Sequence, residues 1–326
     1  MCLRELTAEE LPEWDALVDV SPQGSVFCRS WWLQATCKTP RVLGCFEHGQ
    51  LVAGMPIYFE TRFGFSLCGM PKLTQTWGVV MEPLCGGVTS VTSREMRILR
   101  TFADHLSKFS FFYQQFHPSL QNWLPFYWNG FAETSRVTYV LDDVNDQAQI
   151  WRGLAPRICR NIKKADRLGI KVAQCTIGEL WGLVAKTFAR QRESMGFTKG
   201  YLERVCGSAR AENQGECFGA KDTNGRLHAA AFLVWDTKRA YYLVSGADPN
   251  LRTSGAGCLL AWHAIQFSAE RTRVFDFEGS MMEGVERFYR GFGAKQVSYN
   301  LLMKFPLWAY VYLRCARRML APSLRQ

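Results

Sequence analysis

The sequence lacks any apolar run close to the roughly 20 residues that a helix needs to cross a bilayer, so we expect no membrane-spanning segment. It also lacks low-complexity tracts and long blocks of like charge, which makes a disordered arm unexpected. The amino terminus carries acidic residues where a signal peptide would have a basic patch. These absences predict a folded, cytoplasmic protein without an export signal.

Cysteine is present, but never in the paired spacing of a metal site. The 12 cysteines include no C-x-x-C pair, which argues against a structural zinc site and against a disulfide framework. We therefore expect reduced, mostly buried thiols and no metal. The sequence also offers no Ser-His-Asp order and no Cys-His pairing, so we do not expect a covalent intermediate.

The chain has 326 residues, which is long enough for two cores of about 150 residues each. Charge is divided unevenly between its two halves. Residues 1–145 hold 11 Lys and Arg against 14 Asp and Glu, a net charge of −3. Residues 146–326 hold 28 against 15, a net charge of +13. We therefore expect the second half to bind an anion, such as a phosphorylated small molecule, a nucleic acid or an anionic lipid surface.

The two halves show the same succession of helix, hairpin, helix and strand. "RVLGCFEHGQLVAGMPIYFET" predicts a β-hairpin in the first half, and "GECFGAKDTNGRLHAAAFLVWDTKRAYYLVSGAD" predicts three strands in the second. We therefore predict an α/β (α+β) fold with two related domains, residues 1–145 and 146–326, which join near residues 142–149.

The segment "APRICRNIKKADRLG", residues 155–169, predicts an amphipathic helix with Pro156 in its first turn and Gly169 at its carboxyl end. Its polar face carries four basic residues: Arg157, Arg160, Lys164 and Arg167. Such a face is either a solvated surface or an anion-binding surface, because Arg presents a fork that suits phosphate.

A glycine-rich turn follows the predicted strand "AYYLV" and leads into a helix. Glycines let the backbone approach a ligand, and the N–H groups at a helix amino terminus attract an anion such as a pyrophosphate. The alternative is that the glycines only relieve crowding at the helix start. The candidate donor-binding loop consists of Arg252, Thr253, Ser254, Gly255, Ala256 and Gly257.

Four carboxylates stand within eleven residues near the end of a chain whose net charge is +10. In the predicted strand "RVFDFEG", Asp276 and Glu278 share one face, while Phe275 and Phe277 face the core. A carboxylate at the strand end can deprotonate an attacking amine, and we favour Glu278 as this base over Asp276, which could be structural. Tyr289 could protonate a leaving group or belong to the core.

Sequence motifs in both halves resemble those of a known superfamily. "FDFEGS" followed by "GVERFYRGFGA" resembles the closing signature of the Fem-type aminoacyltransferases and of the related tandem-GNAT acyltransferases. "RTSGAG", between a strand and a helix, resembles the acetyl-CoA pyrophosphate loop of the GNAT acetyltransferases. "WRGLAPRICRNIKKADRLGIKV" resembles the segment that opens the second domain in these families, and "GSVFCRSWWLQA" resembles their early helix.

This resemblance implies two GNAT-like domains, each a mixed, mostly antiparallel sheet flanked by helices, with a cofactor loop in the second domain. It implies an N-acyltransferase that moves an acyl group from acetyl-CoA or another acyl-CoA to an amine. The acceptor would be anionic, either a small molecule or a lipid-linked precursor of the cell envelope or of a polysaccharide.

Two alternatives stay open at this point. Fem-type enzymes use aminoacyl-tRNA, so the chain could be a tRNA-dependent peptidoglycan aminoacyltransferase, or a non-catalytic GNAT-fold binding protein. "RTSGAG" favours acyl-CoA as the donor, whereas the basic second half favours tRNA or another polyanion.

The carboxyl-terminal segment "FPLWAYVYLRCARRMLAPSLRQ", residues 305–326, combines an apolar stripe with three arginines. This composition predicts a helix that either docks on its own domain or lies on an anionic membrane surface. The second possibility predicts a peripheral contact with the inner face of the membrane.

Overall fold

The structure, a computed structural model, describes residues 1–62, 65–279 and 281–306. Within these residues, thirteen strands form one continuous sheet with helices on its faces. The strands are β1 (Cys2–Glu5), β2 (Arg41–Glu47), β3 (Gln50–Arg62), β4 (Phe65–Gly69), β5 (Val80–Met81), β6 (Phe112–Gln115), β7 (Ala132–Leu141), β8 (Lys171–Gln174), β9 (Gly215–Lys221), β10 (Leu227–Trp235), β11 (Arg239–Ala247), β12 (Val274–Asp276) and β13 (Lys295–Lys304). The α-helices are α1 (Leu11–Val20), α2 (Ser30–Thr36), α3 (Val88–Leu106), α4 (Leu124–Trp128), α5 (Gln147–Gly153), α6 (Pro156–Arg167), α7 (Ile177–Gln191), α8 (Lys199–Ala211), α9 (Ala256–Ala269) and α10 (Glu283–Arg290).

The sheet interleaves the two halves of the chain, because its last strand lies between two strands of the first half. The order is β1-β2-β3-β4-β6-β13-β7-β12-β11-β10-β9-β8, and β5 pairs with β3. β13 runs antiparallel to both β6 and β7, and β7 runs antiparallel to β12. The predicted class, a mostly antiparallel sheet flanked by helices, is confirmed. The domain boundary at residue 145 stays a prediction.

Local sequence signals explain where several elements begin and end. Pro156 occupies the first turn of α6, and Gly169, with a φ of 70°, follows its end in the left-handed conformation that suits glycine. His48 and Gly49, with φ values of 52° and 83°, form the two-residue turn between β2 and β3. The predicted amphipathic helix and the first hairpin are therefore confirmed.

The turn between β10 and β11 fastens the second half of the chain to the first. The buried Asp236 carboxylate accepts the N–H of Val26 at 2.7 Å and the N–H of Lys238 at 2.7 Å. The Lys238 ammonium donates to the carbonyl oxygens of Val18 and Ser21 at 2.8 and 2.7 Å. Because buried charges need such partners, these contacts hold the turn in one position and fix where β11 starts.

Some expectations concern features that the described residues lack or do not include. No helix in the described ranges combines the length and the apolar composition needed to cross a membrane. Nor does any group of three or more His, Cys, Asp or Glu side chains there have the arrangement of a metal site. The predicted carboxyl-terminal helix lies outside the described residues, which end at residue 306, so its membrane contact stays a prediction.

Candidate active site

Two phenylalanines anchor the end of β12 in the core. Phe275 and Phe277 have no exposed surface, and their ring centroids are 4.9 Å apart. Phe277 also stacks on Tyr289 at 4.9 Å. The prediction that both phenylalanines face the core is confirmed, and the alternation of side chains turns Asp276 toward the opposite face of the strand.

Asp276 is fully buried, and four donors surround its carboxylate. It accepts from the Arg239 guanidinium at 2.8 Å and from the Glu278 N–H at 2.7 Å. It also accepts from the Thr138 hydroxyl and, at 3.3 Å, from the Gln75 amide. Since its oxygens are already engaged, the arrangement favours a positioning role for Asp276, which holds the turn that carries Glu278.

Glu278 lies in a turn just beyond β12. The strand was predicted to reach Gly279, but it ends at Asp276, and Glu278 has a φ of 62°, a conformation that costs energy for any residue other than glycine. Gly279 has a φ of 64°, and a β-carbon there would lie 2.2 Å from the carbonyl oxygen of Val137 on β7. Gly279 therefore lets the turn lie directly against β7. The left-handed conformation of Glu278, a residue other than glycine, motivates a functional hypothesis.

The Glu278 carboxyl group has the properties of a general base. Its Oε1 oxygen is buried and finds no hydrogen-bond partner among the described residues. Burial, and then the charge of Asp276, raise the pKa of Glu278 well above its ordinary value of 4.5. A carboxylate with a raised pKa binds a proton more strongly, so Glu278 is suited to take one from a ligand.

Tyr289 lies beside Glu278 at the edge of the core. It is 9% exposed, and burial followed by the charge of Glu278 raises its pKa above the ordinary value of 10. Its phenol is therefore protonated at neutral pH and can serve as a proton donor. The structure thus brings together the three predicted catalytic residues, Asp276, Glu278 and Tyr289.

The first half supplies polar residues to this site that the sequence did not indicate. Gln75 and Thr138 reach Asp276 across 201 and 138 positions of the chain. His117 is buried as well, and burial, followed by the charges of Arg239 and Lys238, lowers its pKa to about 3. His117 is therefore a neutral imidazole. No local pattern signals these residues, because only the interleaved sheet brings them to β12.

The candidate donor-binding loop lies between β11 and α9, as predicted. A 3₁₀ turn spans Arg252–Ser254, and Gly255, with a φ of 85°, precedes α9. A β-carbon at Gly255 would lie 2.2 Å from the carbonyl oxygen of Asn161 on α6, so this glycine relieves crowding. A β-carbon at Gly257 would meet nothing within 4 Å, which leaves space for a ligand. Relief of crowding thus fits Gly255, and space for a ligand fits Gly257.

A buried hydrogen-bond chain supports this loop. His228 Nδ1 lies 2.9 Å from Ser254 Oγ, and His228 Nε2 lies 3.2 Å from the Asp222 carboxylate. Because a carboxylate only accepts, His228 Nε2 carries a proton that it donates to Asp222, and the Ser254 hydroxyl lies within hydrogen-bond distance of Nδ1. The Ser254 oxygen in turn accepts the Ala256 N–H at 3.3 Å.

Ser254, His228 and Asp222 meet only in the fold, so the sequence showed no Ser-His-Asp order. This arrangement does not change the expectation that no covalent intermediate forms. Ser254 is only 7% exposed and its oxygen already accepts the N–H of Ala256 at the start of α9, so it supports the helix start.

The basic face of α6 adjoins the donor loop. Its four basic side chains are exposed: Arg157, Arg160, Lys164 and Arg167. The Lys164 ammonium donates to the carbonyl oxygen of Thr253 at 2.6 Å. Arg190 of α7, which the sequence did not indicate, lies close to the loop, since burial and then the charge of Arg252 lower its pKa. The loop and the α6 face together form one basic surface.

The turn that carries Glu278 and the donor loop follow neighbouring parallel strands at the same edge of the sheet, but β11 is longer than β12 in that direction. β11 and β12 run parallel, and their ladder ends where Tyr241 pairs with Asp276. β11 continues to Ala247 before it leads into the loop. At about 3.3 Å per residue, the stretch from Tyr241 to Ala247 is roughly 20 Å long. β11 therefore extends well beyond the level of Asp276 before the chain enters the loop.

Comparison with known families identifies the second half of the chain. Residues 155–290 match the acetyltransferase (GNAT) domain family, a segment that includes α6, the donor loop and Glu278. No curated protein matches the chain by sequence.

Several solved structures share the fold of nearly the whole chain. FemX is 13% identical with a TM-score of 0.67, over 92% of this chain and 97% of FemX. The C-terminal domain of a putative lysylphosphatidylglycerol synthetase from Agrobacterium fabrum is 13% identical with a TM-score of 0.57, over 95% and 96% of the two chains. A tandem GNAT protein from the clavulanic acid biosynthesis pathway is 10% identical with a TM-score of 0.55, over 93% and 98%.

These findings confirm the resemblance to GNAT-type and Fem-like proteins that the motifs predicted. The family match rests on the second half, and the likeness to solved structures extends the shared fold over both halves. Residues 155–290 are therefore similar to the GNAT acetyltransferase domain, which supports an acyltransferase, and the chain has the overall fold of FemX and of a tandem GNAT protein.

Proposed function

We propose that the protein is an N-acyltransferase that moves an acyl group from acyl-CoA to an amine on an anionic acceptor. The observation that carries this proposal is the Glu278 carboxyl group, whose buried oxygen lacks a partner among the described residues and whose pKa is raised. A GNAT domain normally uses acetyl-CoA or another acyl-CoA, which supports the choice of donor.

Glu278 and Tyr289 supply the proton transfers of the proposed reaction. The Glu278 carboxylate accepts a proton from the acceptor amine while the amine nitrogen attacks the thioester carbonyl. The C–N bond forms, the C–S bond breaks, and Glu278 returns a proton to the departing sulfur, directly or through the Tyr289 phenol. The products are an amide and a free thiol. Asp276 acts as a positioning residue, because its hydrogen bond to the Glu278 N–H holds the turn.

The extent of β11 beyond its pairing with β12 supports a CoA-linked donor. β11 continues for roughly 20 Å beyond Tyr241, the residue that pairs with Asp276, before the chain enters the donor loop. A donor that contacts both the loop and Glu278 needs an anionic group at one end and a reactive carbonyl far from it. The pantetheine arm of an acyl-CoA provides such an extended connection between pyrophosphate and thioester.

The basic surface around the loop supports an anionic acceptor. The exposed basic face of α6 lies against Thr253 of the loop, so it can attract phosphate groups of donor and acceptor alike. We propose a small-molecule or lipid-linked precursor of the cell envelope or of a polysaccharide. A structural relative described as a putative lysylphosphatidylglycerol synthetase domain favours including lipid-linked acceptors. We further propose a cytoplasmic enzyme with a peripheral membrane contact through residues 305–326.

Direct detection of products tests this proposal. The purified protein is incubated with acetyl-CoA and a panel of amines that carry phosphate or diphosphate groups, and mass spectrometry follows the acylated amine. We expect one class of amine to be acylated, with release of an equal amount of CoA. Release of CoA without acylated amine, or no turnover with any acyl-CoA, would contradict the proposal.

A second candidate is a Fem-type aminoacyltransferase that uses aminoacyl-tRNA to modify peptidoglycan precursors. Two observations favour it: the fold shared with FemX over 92% of the chain, and the exposed basic face of α6. Binding of tRNA together with no response to acyl-CoA would favour this candidate over the first.

Removing charge from α6 tests whether its basic face contacts an anion. Replacing Arg157, Arg160 and Arg167 together with Gln should weaken binding of tRNA or of the anionic acceptor and flatten its salt dependence. The slope of log K against log salt is negative, and each lost phosphate contact reduces its magnitude by about 0.7–0.9. Losing three contacts should therefore reduce the magnitude by about 2. Filter binding at several salt concentrations measures the slope.

A matched control uses exposed basic residues on the other half of the chain. Replacing Arg97, Arg100 and Lys108 with Gln removes the same charge from α3 and the turn that follows it, far along the chain from the donor loop. This control should leave the slope nearly unchanged. Equal slopes for the α6 variant and the wild-type protein would identify α6 as a merely solvated face.

A further inference from the structure

Two cysteines face each other at the far edge of the sheet, outside the candidate active site. Cys175 directly follows β8, and its N–H donates to the carbonyl oxygen of Cys217 on β9 at 3.0 Å. The two Sγ atoms are 3.3 Å apart. A disulfide requires an S–S distance of about 2.05 Å, so a small movement of two side chains on neighbouring strands is enough to reach bonding distance.

The two thiols differ in acidity. The hydrogen bond from Cys217 lowers the pKa of Cys175, and Lys221 and Arg210 lower it further, against the opposing effects of burial and Glu179. The same hydrogen bond, together with burial, raises the pKa of Cys217. Cys175 is therefore the thiol of the pair that ionises more readily, and the thiolate is the form that attacks a disulfide.

The two residues differ in exposure. Cys217 has no exposed surface, whereas Cys175 as a whole is 8% exposed. Cys175 lines an open depression together with Thr176, Glu179 and Arg210. A small disulfide can therefore approach Cys175 first. Cys217 is more deeply buried and serves as the resolving thiol.

We propose that Cys175 and Cys217 form a reversible redox site that exchanges with small disulfides. The Cys175 thiolate attacks one sulfur of a low-molecular-weight disulfide, forms a mixed disulfide and releases one small thiolate. Cys217 then attacks the Cys175 sulfur, and its proton passes to the second small thiolate as that thiolate departs. The two cysteines are oxidised to a disulfide, and the small disulfide is reduced to two thiols.

This cross-link would join the chain just before α7 to β9. α7 begins at Ile177, two residues after Cys175, and packs against β11 so closely that a β-carbon at Gly246 would lie 2.4 Å from the backbone of Val184. Oxidation would therefore tie the start of α7 to the sheet. Excess small thiol would reverse the reaction and return both cysteines to the reduced state.

Oxidised glutathione is a suitable probe. The purified full chain is incubated with it, remaining thiols are blocked with N-ethylmaleimide under denaturing conditions, and peptides are analysed by mass spectrometry. We expect a peptide pair linked through Cys175 and Cys217, which disappears after treatment with reduced glutathione. Full blocking of both cysteines by N-ethylmaleimide after this incubation would overturn the proposal.

Single substitutions test the order of the two steps. Cys217→Ser should accumulate glutathione on Cys175, because no resolving thiol remains, whereas Cys175→Ser should leave Cys217 unmodified. Cys206→Ser, which changes a neighbouring buried thiol, should still give the cross-link and serves as the control. Attachment of glutathione to Cys217 in the Cys175→Ser variant would contradict the assignment of Cys175 as the attacking thiol.

Discussion

Replacing Glu278 with Gln should lower kcat roughly 10²-fold or more, with little change in the KM for acyl-CoA. Gln keeps the size of the side chain, and the N–H of residue 278 can still donate to Asp276. Only the ability of the side chain to accept a proton is lost. Steady-state kinetics with acetyl-CoA and the acceptor identified by product detection would measure this loss.

The same substitution should raise Tm at neutral and alkaline pH. Burial raises the pKa of Glu278 above 4.5, its ordinary value, so the folded chain holds the proton more tightly than the unfolded chain. The resulting stability is complete below about pH 4.5 and is lost as the pH rises through the folded pKa. Gln does not ionise, so the Tm difference should be near zero at about pH 4 and should grow with pH.

Glu283→Gln provides the matched control for both measurements. Glu283 lies on α10, its side chain is 77% exposed, and it pairs with Arg287 of the same helix. This variant should retain activity and the pH dependence of Tm. Full activity of Glu278→Gln would show that another group handles the proton. A Tm lower than that of the wild-type protein at about pH 8 would show that the Glu278 carboxylate is stabilised in the folded chain.

Replacing Gly257 with Val should raise the Kd for acyl-CoA well over tenfold without unfolding the protein. A β-carbon at this position meets nothing within 4 Å, so the protein itself can accommodate the larger side chain. The new side chain would fill space that we assign to the donor's phosphate groups at the start of α9. A tenfold loss corresponds to about 1.4 kcal/mol of binding free energy, which isothermal titration with CoA resolves.

Gly207→Val serves as the control for this substitution. Gly207 lies on α8, where a β-carbon also meets nothing within 4 Å, and it is distant in sequence from the donor loop. Both variants should fold, and only Gly257→Val should lose affinity for CoA. Unchanged CoA binding by Gly257→Val would remove this loop from the mechanism.

Local patterns in the sequence predicted most of the individual elements. The proline and glycine that flank α6 and the turn of the first hairpin each act within a few residues. The phenylalanines of β12 were recognised as core residues for the same reason, because alternation along a strand is a local property. Such signals depend on the backbone conformation of neighbouring residues, so they can be recognised in a single sequence.

The arrangement of these elements in space could not be predicted in the same way. β13 lies between β6 and β7, so the last described strand completes the sheet of the first half. This insertion brings the first half to the end of β12, where Gln75 and Thr138 bind the Asp276 carboxylate. The contact depends on tertiary packing across more than a hundred positions, which leaves no local trace.

The candidate site was therefore predicted only in part. The motifs indicated Glu278, Asp276 and the donor loop, but not the left-handed turn that carries Glu278 and lies against β7. They also did not indicate the chain from Asp222 through His228 to Ser254. Its members come from a turn, a strand and a loop that meet only in the folded protein.

The central claim is that the GNAT domain binds an acyl-CoA donor at the loop before α9, and the change in Tm on adding ligand tests it most directly. A ligand at 100 times its Kd stabilises the folded state by about 2.7 kcal/mol, which raises Tm measurably. We predict that acetyl-CoA and CoA raise the Tm of the wild-type protein and of Gly207→Val, but not that of Gly257→Val. No rise with either compound, together with a rise on adding tRNA, would contradict the claim.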